Sequence, residues 1–235
     1  MNPRSRHICD RNPMIAPRIM LLHATPVAMD PVHSAFREHW PEAETINVLE
    51  DGLTIDRAKA PNLTCQLTDR FVKLCHYATD LAARGLLITC SAFGPAIERA
   101  ASELSIPVLK PNEAMFEAAI ASGKRIAMVA TFEPAVVTMV QEFQEQAAKT
   151  GSNATLMTII VPEAMIALRR GDVDTHNQLI AERASELSTY DAIMLAHFST
   201  SRAAALLRQA TPVPVLTAPQ SAVIKMRHLL NAPVQ

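Results

Sequence analysis

The sequence predicts an α/β protein made of two similar domains with parallel sheets, related by a pseudo-twofold axis. Three observations predict it. Short apolar runs alternate along the chain with segments of helical periodicity, the pattern of parallel strands joined by crossover helices. The runs are continuously apolar rather than alternating, as strands covered on both faces are. And the chain matches itself when shifted by 107 residues, which marks an internal repeat.

In the first half the strand signals are Arg18–His23, Thr45–Leu49, Leu86–Thr89 and Val108–Leu109. In the second half they are Arg125–Ala130, Leu156–Val161, Ala192–Ala196 and Val215–Leu216. Helical periodicity places helices at Asp30–His39, Leu63–Arg84, Pro95–Leu104, Pro134–Lys149, Thr175–Thr189 and Ser201–Gln209. Pro95 suits a first helical turn, where its missing N–H removes no bond. The polar Gly52–Asn62 segment, with Asp56, Arg57 and Lys59, reads as a loop over the cleft. The 107-residue shift pairs Arg18-Ile19 with Arg125-Ile126, Phe36 with Phe143, and Pro107-Val108-Leu109 with Pro214-Val215-Leu216. These matches fall at equivalent places in the β/α order. The expected organisation is an extension over 1–16, a first domain of 17–122 and 212–235, and a second of 123–211.

The chain has 235 residues, 49% hydrophobic and 19% charged, enough apolar matter for a substantial core. Net charge is −1, with no charged block beyond the first dozen residues, so nucleic acid and membrane are not expected partners. No apolar run approaches the roughly 18 residues of a membrane span. The opening "MNPRSRHICDRNPMIAP" is basic and proline-broken, without the apolar core of a signal peptide. Four cysteines (Cys9, Cys65, Cys75 and Cys90) form no CxxC, which points to a reducing cytoplasm. Cys65 and Cys75 fall in a helical segment and read as core fillers. The eight histidines lack metal-binding spacing, and the six glycines form neither a Walker loop nor GxGxxG, so the spacing supports neither a metal site nor a nucleotide cofactor.

One cysteine stands apart. In "GLLITCSAFGPAIERA", Gly85 to Ala100, Cys90 sits on the lip between an apolar strand and a helix rather than inside either. The repeat lays this junction on "AIMLAHFSTSRAAALL", Ala192 to Leu207, and lays Cys90 on His197. Ligands of open parallel sheets bind at the carboxyl ends of strands. Two halves related by a twofold therefore bring Cys90 and His197 to face each other over one small ligand. A helix N-terminus favours the thiolate, and the amides from Ser91 through Ala92 to Gly94 would hold a carboxylate. Phe198, Ser199, Thr200 and Ser201 stand equivalently in the second half. Such a cradle suits a small carboxylate whose carbanion-like intermediate needs stabilising.

At these residues the sequence resembles the aspartate/glutamate racemase superfamily, which includes amino-acid racemases, hydantoin racemase, maleate isomerase and arylmalonate decarboxylase. The resemblance rests on "ITCSAFG", "RIAMVATFEPAV" and "IMLAHFS", and spans Arg18 to Leu229. It implies two Rossmann-like domains with the site between them, no cofactor and no metal, and a homo-oligomer. It also implies proton transfer at the carbon next to a carboxylate, with one catalytic residue on each face. Cys90 matches the first family cysteine, while His197 stands where the second would be. Thr25, in "HATP", and Thr131 then become expected carboxylate binders, and Glu163, in "IIVPEAM", is expected either to orient His197 or to meet a substrate ammonium. A racemase or epimerase of a small amino acid or related carboxylate is the first reading. A decarboxylase or cis–trans isomerase of a small dicarboxylate using Cys90 is the second, and a non-catalytic carboxylate-binding protein the third.

Overall fold

The computed structural model describes residues 16–133 and 136–231; Cys9 and residues 1–15 of the expected extension lie outside them. Two four-stranded parallel sheets form the framework. The first contains β1 (Arg18–His23), β2 (Glu44–Leu49), β3 (Gly85–Ile88) and β4 (Val108–Leu109), in the order β2-β1-β3-β4. The second contains β5 (Arg125–Ala130), β6 (Thr155–Ile160), β7 (Ala192–Leu195) and β8 (Val215–Thr217), in the order β6-β5-β7-β8. Ile19 pairs with Gly85, and Ile126 pairs with Ala192. The 107-residue shift thus carries the register of one sheet onto the other.

The helices of the first half are α1 (Met29–His39), α2 (Gly52–Arg57), α3 (Cys65–Asp80), α4 (Gly94–Glu103) and α5 (Glu113–Ser122). Those of the second are α6 (Val136–Lys149), α7 (Pro162–Arg169), α8 (Val173–Ala181), α9 (His197–Thr200), α10 (Ala204–Ala210) and α11 (Ala218–Asn231). Successive residues of each strand serve different cores, because strand side chains alternate faces. Ile19 and Leu21 share an interior with Ile126, Met128, Phe116 and Phe143. Met20, Leu22, Leu86 and Ile88 pack with Phe71 and Phe93 under α3 and α4. Ala127, Val129, Ile193 and Leu195 pack with Ile180 of α8 and Leu207 of α10. The inner strands β1, β3, β5 and β7 are covered on both faces, which explains their unbroken apolar runs, while the edge strands β2 and β6 stay partly exposed.

Two expectations are corrected. First, β8 pairs with β7, so 212–217 belongs to the second sheet rather than the first domain. Helix α5 packs against α6, β7 and β8, while α11 returns to α1 and β3. The apolar side chains of α5, Met115, Phe116 and Ala119, fit only the shared interior, and this draws the helix across. Lys225 of α11 locks the exchange by bonding Glu113 at 2.6 Å and Glu117 at 2.8 Å on α5. Second, the Gly52–Asn62 loop contains a helix, α2, and its charges do not overhang the cleft. Asp56 bonds Lys59 at 2.8 Å and Arg70 of α3 at 2.6 Å. Cys65 is exposed at the start of α3, so only Cys75 fills the core.

Chain reversals mark the helix ends. Gly151 (φ 66°) and Gly171 (φ 83°) take the left-handed backbone after α6 and α7, where glycine carries no Cβ penalty. After α3 the same turn falls on Ala82 (φ 51°), and the Ala83 amide donates to the Ala78 carbonyl at 2.9 Å.

Candidate active site

The carboxyl ends of β1, β3, β5 and β7 open onto a cavity of about 600 Å³ lined from both halves, a size suited to a small ligand. Cys90 lines it from the first half and His197 from the second. The strand ends that carry them are anchored alike. The Thr89 amide donates to the Leu22 carbonyl at 3.1 Å, and the Ala196 amide to Val129 at 2.9 Å. His23, fully buried, braces the first junction from beneath. Its Nε2 lies 3.0 Å from Asn47 Oδ1 and its Nδ1 3.0 Å from the Thr89 hydroxyl, which lies 3.3 Å from the Leu22 carbonyl.

Cys90 has extended backbone and precedes a single 3-10 turn, Ser91–Phe93, before α4. The expectation of a helix-stabilised thiolate is corrected here. Burial raises the thiol's pKa above its ordinary value, and the Ala92 amide, which works the other way, offsets only part of that rise. One short turn supplies too little dipole to win. Cys90 is therefore a protonated thiol at neutral pH.

His197 is the most constrained residue of the cavity. It opens α9 at φ 70°, in the left-handed region that non-glycine residues avoid. Both ring nitrogens are buried without a hydrogen bond of good geometry among the described residues, although the Ala196 backbone lies close enough to favour the protonated ring and so offsets part of the effect of burial. Burial lowers its pKa, so the imidazole is neutral and carries one free lone pair at neutral pH. Backbone strain together with two unpaired buried nitrogens is costly, and such costs concentrate at ligand-binding sites.

Thr25, Ser91, Phe198 and Ser199 also line the cavity. The side chain of Ala92 is exposed and outside the lining, so only its amide bears on Cys90. Two other expected residues, Thr131 and Glu163, also lie outside the lining. Thr131 is buried, with its hydroxyl 3.5 Å from that of Thr200. The 107-residue shift explains this, since Thr25 corresponds to Phe132 and not to Thr131. Glu163 is exposed near the start of α7. It lies two residues before Met165, about 200° around the helix, and it is Met165 that lines the cavity. Glu163 therefore does not orient His197.

Phe132, Met165, Arg169, Thr54 and Asn112 complete much of the lining, and sequence reasoning passed over all five. Two carried a readable signal. Phe132 follows from the repeat. Arg169 stands four residues after Met165, on the same face of α7. Thr54 required knowing that Gly52–Arg57 is helical.

No helix among the described residues is long and apolar enough to cross a membrane. No group of three or more His, Cys, Asp or Glu among them could hold a metal ion. No protein-family model matches the sequence, and no curated protein sequence does. Solved structures do. An allantoin racemase from Klebsiella pneumoniae superposes with a TM-score of 0.70 at 17% identity, over 92% of this chain and 88% of its own. An aspartate racemase homologue from Pyrococcus horikoshii gives 0.69 at 13%, over 90% and 98%. A glutamate racemase from Bacillus anthracis gives 0.66 at 15%, over 92% and 82%. The chain has the fold of the aspartate/glutamate racemase superfamily, the family its two junction motifs resemble.

Proposed function

We propose that the protein is a cofactor-independent racemase or epimerase acting at the carbon next to a carboxylate, with Cys90 and His197 exchanging the α-proton from opposite faces. One observation carries the reading: His197, a neutral imidazole, and Cys90, a protonated thiol, line the same cavity from its two halves. In one direction His197 takes the α-proton. The electron pair of that C–H bond passes into the carboxylate as an enediolate, and the Cys90 thiol protonates the opposite face. The site is left as imidazolium and thiolate, and either reacts with the opposite enantiomer or resets through solvent. The hydroxyls of Thr25, Ser91 and Ser199 and the amides of the two junctions are the donors available to the enediolate oxygens. Racemases among the structural neighbours support the reading.

A second reading has its own support. A protonated thiol beside apolar Phe132, Met165 and Phe198 also suits decarboxylation, in which carbon dioxide leaves towards an apolar wall and Cys90 delivers one proton. Proton NMR in deuterated water separates the two. Loss of an α-proton signal that needs both Cys90 and His197 supports racemisation. Carbon dioxide release that survives in His197→Ala supports the second reading. If Cys90→Ala and His197→Ala both exchange like the wild type, the proposed pair is wrong.

A further inference from the structure

The cavity's charge and its apolar surface specify a ligand. Beside Cys90 the first half contributes Thr25 and Ser91, while the hydroxyls of Thr54 and Thr89 are spent on bonds outside the cavity. The second half contributes Phe132, Met165 and Phe198, with Arg169, His197 and Ser199. None of the lining residues is a carboxylate. Arg169 is exposed, at the cavity's solvent side, and makes no ion pair among the described residues, although α7 carries Glu163 only six positions earlier. With His197 neutral, Arg169 is the cavity's one cation.

These facts set a charge balance. One guanidinium neutralises one carboxylate, through two parallel N–H bonds where geometry allows. A second carboxylate would enter without a counter-charge. An ammonium would enter without any carboxylate to meet it, into a space already holding a cation, and an unpaired charge taken from water carries a large penalty. The apolar wall rewards an uncharged hydrocarbon substituent instead.

Resting on the proposal that this cavity exchanges an α-proton, we infer that its substrate is a monocarboxylate whose α-carbon bears an uncharged, largely apolar substituent, held by Arg169, and is neither a zwitterionic nor a dicarboxylic amino acid. Three probes of one skeleton test this by calorimetric titration. They are 4-methylpentanoate, leucine, which adds an ammonium, and isobutylmalonate, which adds a second carboxylate. The monoanion binds at least about tenfold more tightly than either of the others. Arg169→Gln weakens it about tenfold and removes most of its salt dependence, which a merely structural role for Arg169 would leave unchanged. Phe132→Ala weakens 4-methylpentanoate while leaving acetate binding unchanged. Leucine or isobutylmalonate binding as tightly as the monoanion overturns the inference. So does an unaltered affinity in Arg169→Gln, or no binding by any of the three. Binding requires no chemistry, so proton exchange on the bound probes in deuterated water is scored separately. Selective binding without exchange sinks the proposed reaction and leaves the ligand class standing. Exchange without selectivity does the reverse.

Discussion

Two histidines at the strand ends, fully buried His23 and partly buried His197, should respond to removal with opposite signs. His197→Gly relieves a left-handed backbone, worth about 1 kcal/mol at a non-glycine residue. It also deletes two unpaired buried nitrogens, worth about 1–2 kcal/mol between them. Against this stand about 0.5–1 kcal/mol for glycine's greater freedom when unfolded and about 1 kcal/mol of lost packing. The side chain borders a cavity that already exists, so little new void forms. The net is a stabilisation of about 1 kcal/mol, or about 2–4 °C in Tm for a chain of 235 residues, accompanied by loss of proton exchange. His23→Ala removes a fully buried ring bonded at both nitrogens and costs about 2–3 kcal/mol. Urea titration followed by circular dichroism measures both. A His197→Gly variant less stable than the wild type would refute the claim that this residue is held at the expense of the fold. Full exchange activity in that variant would refute its role.

Three further outcomes rest on the backbone and on burial. Ala82→Gly, at an exposed left-handed turn with φ 51°, raises the urea midpoint by the equivalent of about 1 kcal/mol. Gly123→Ala places its Cβ 2.5 Å from Asp191 Oδ2, the atom that accepts from the Lys124 and Arg125 amides at 2.8 Å. It lowers stability by about 2 kcal/mol, and an unchanged Tm would contradict the packing. Stability against pH forms a plateau. Burial lowers the pKa values of His23, His176 and His197. The unfolded chain therefore binds protons more readily below about pH 6.5, and stability falls as pH falls through the folded values. Burial raises Cys90 and pushes Cys75 up to about 12. Their contribution is complete below about pH 8.5, the ordinary thiol value, and is lost as pH rises through the folded values.

The sheets were legible because their inner strands are buried on both faces, so apolar runs such as Leu86–Ile88 and Ile193–Leu195 announce themselves without competition. That Cys90 and His197 would line one cavity was legible because the repeat puts them at matching strand ends. What escaped depended on contacts with no local signature. α5 is apolar over much of its surface, and nothing within its ten residues says which sheet it will join. Arg169 reaches the cavity through the helical phase of α7, and that phase is set by the burial of Ala164 and Ala167. The assignment of Thr131 failed differently. Matching residue types across the repeat favoured a threonine, whereas matching positions would have chosen Phe132. Position is the safer guide, because backbone geometry repeats when side-chain chemistry has diverged.

That divergence has a kinetic consequence. A thiol and an imidazole of unlike proton affinity make the two faces of the site inequivalent, so a racemase using them starts one direction from its resting form and the other from imidazolium and thiolate. Enantiomers are equal in free energy, so kcat/KM must be the same in both directions however unequal the faces are. The inequality can appear only as kcat and KM that differ between enantiomers by a common factor, larger in the direction that begins from the protonated thiol. Progress curves from each enantiomer measure this directly. Equal kcat and equal KM in both directions would mean that Cys90 and His197 are chemically balanced in the loaded site, and that burial in the empty cavity misrepresents their working protonation.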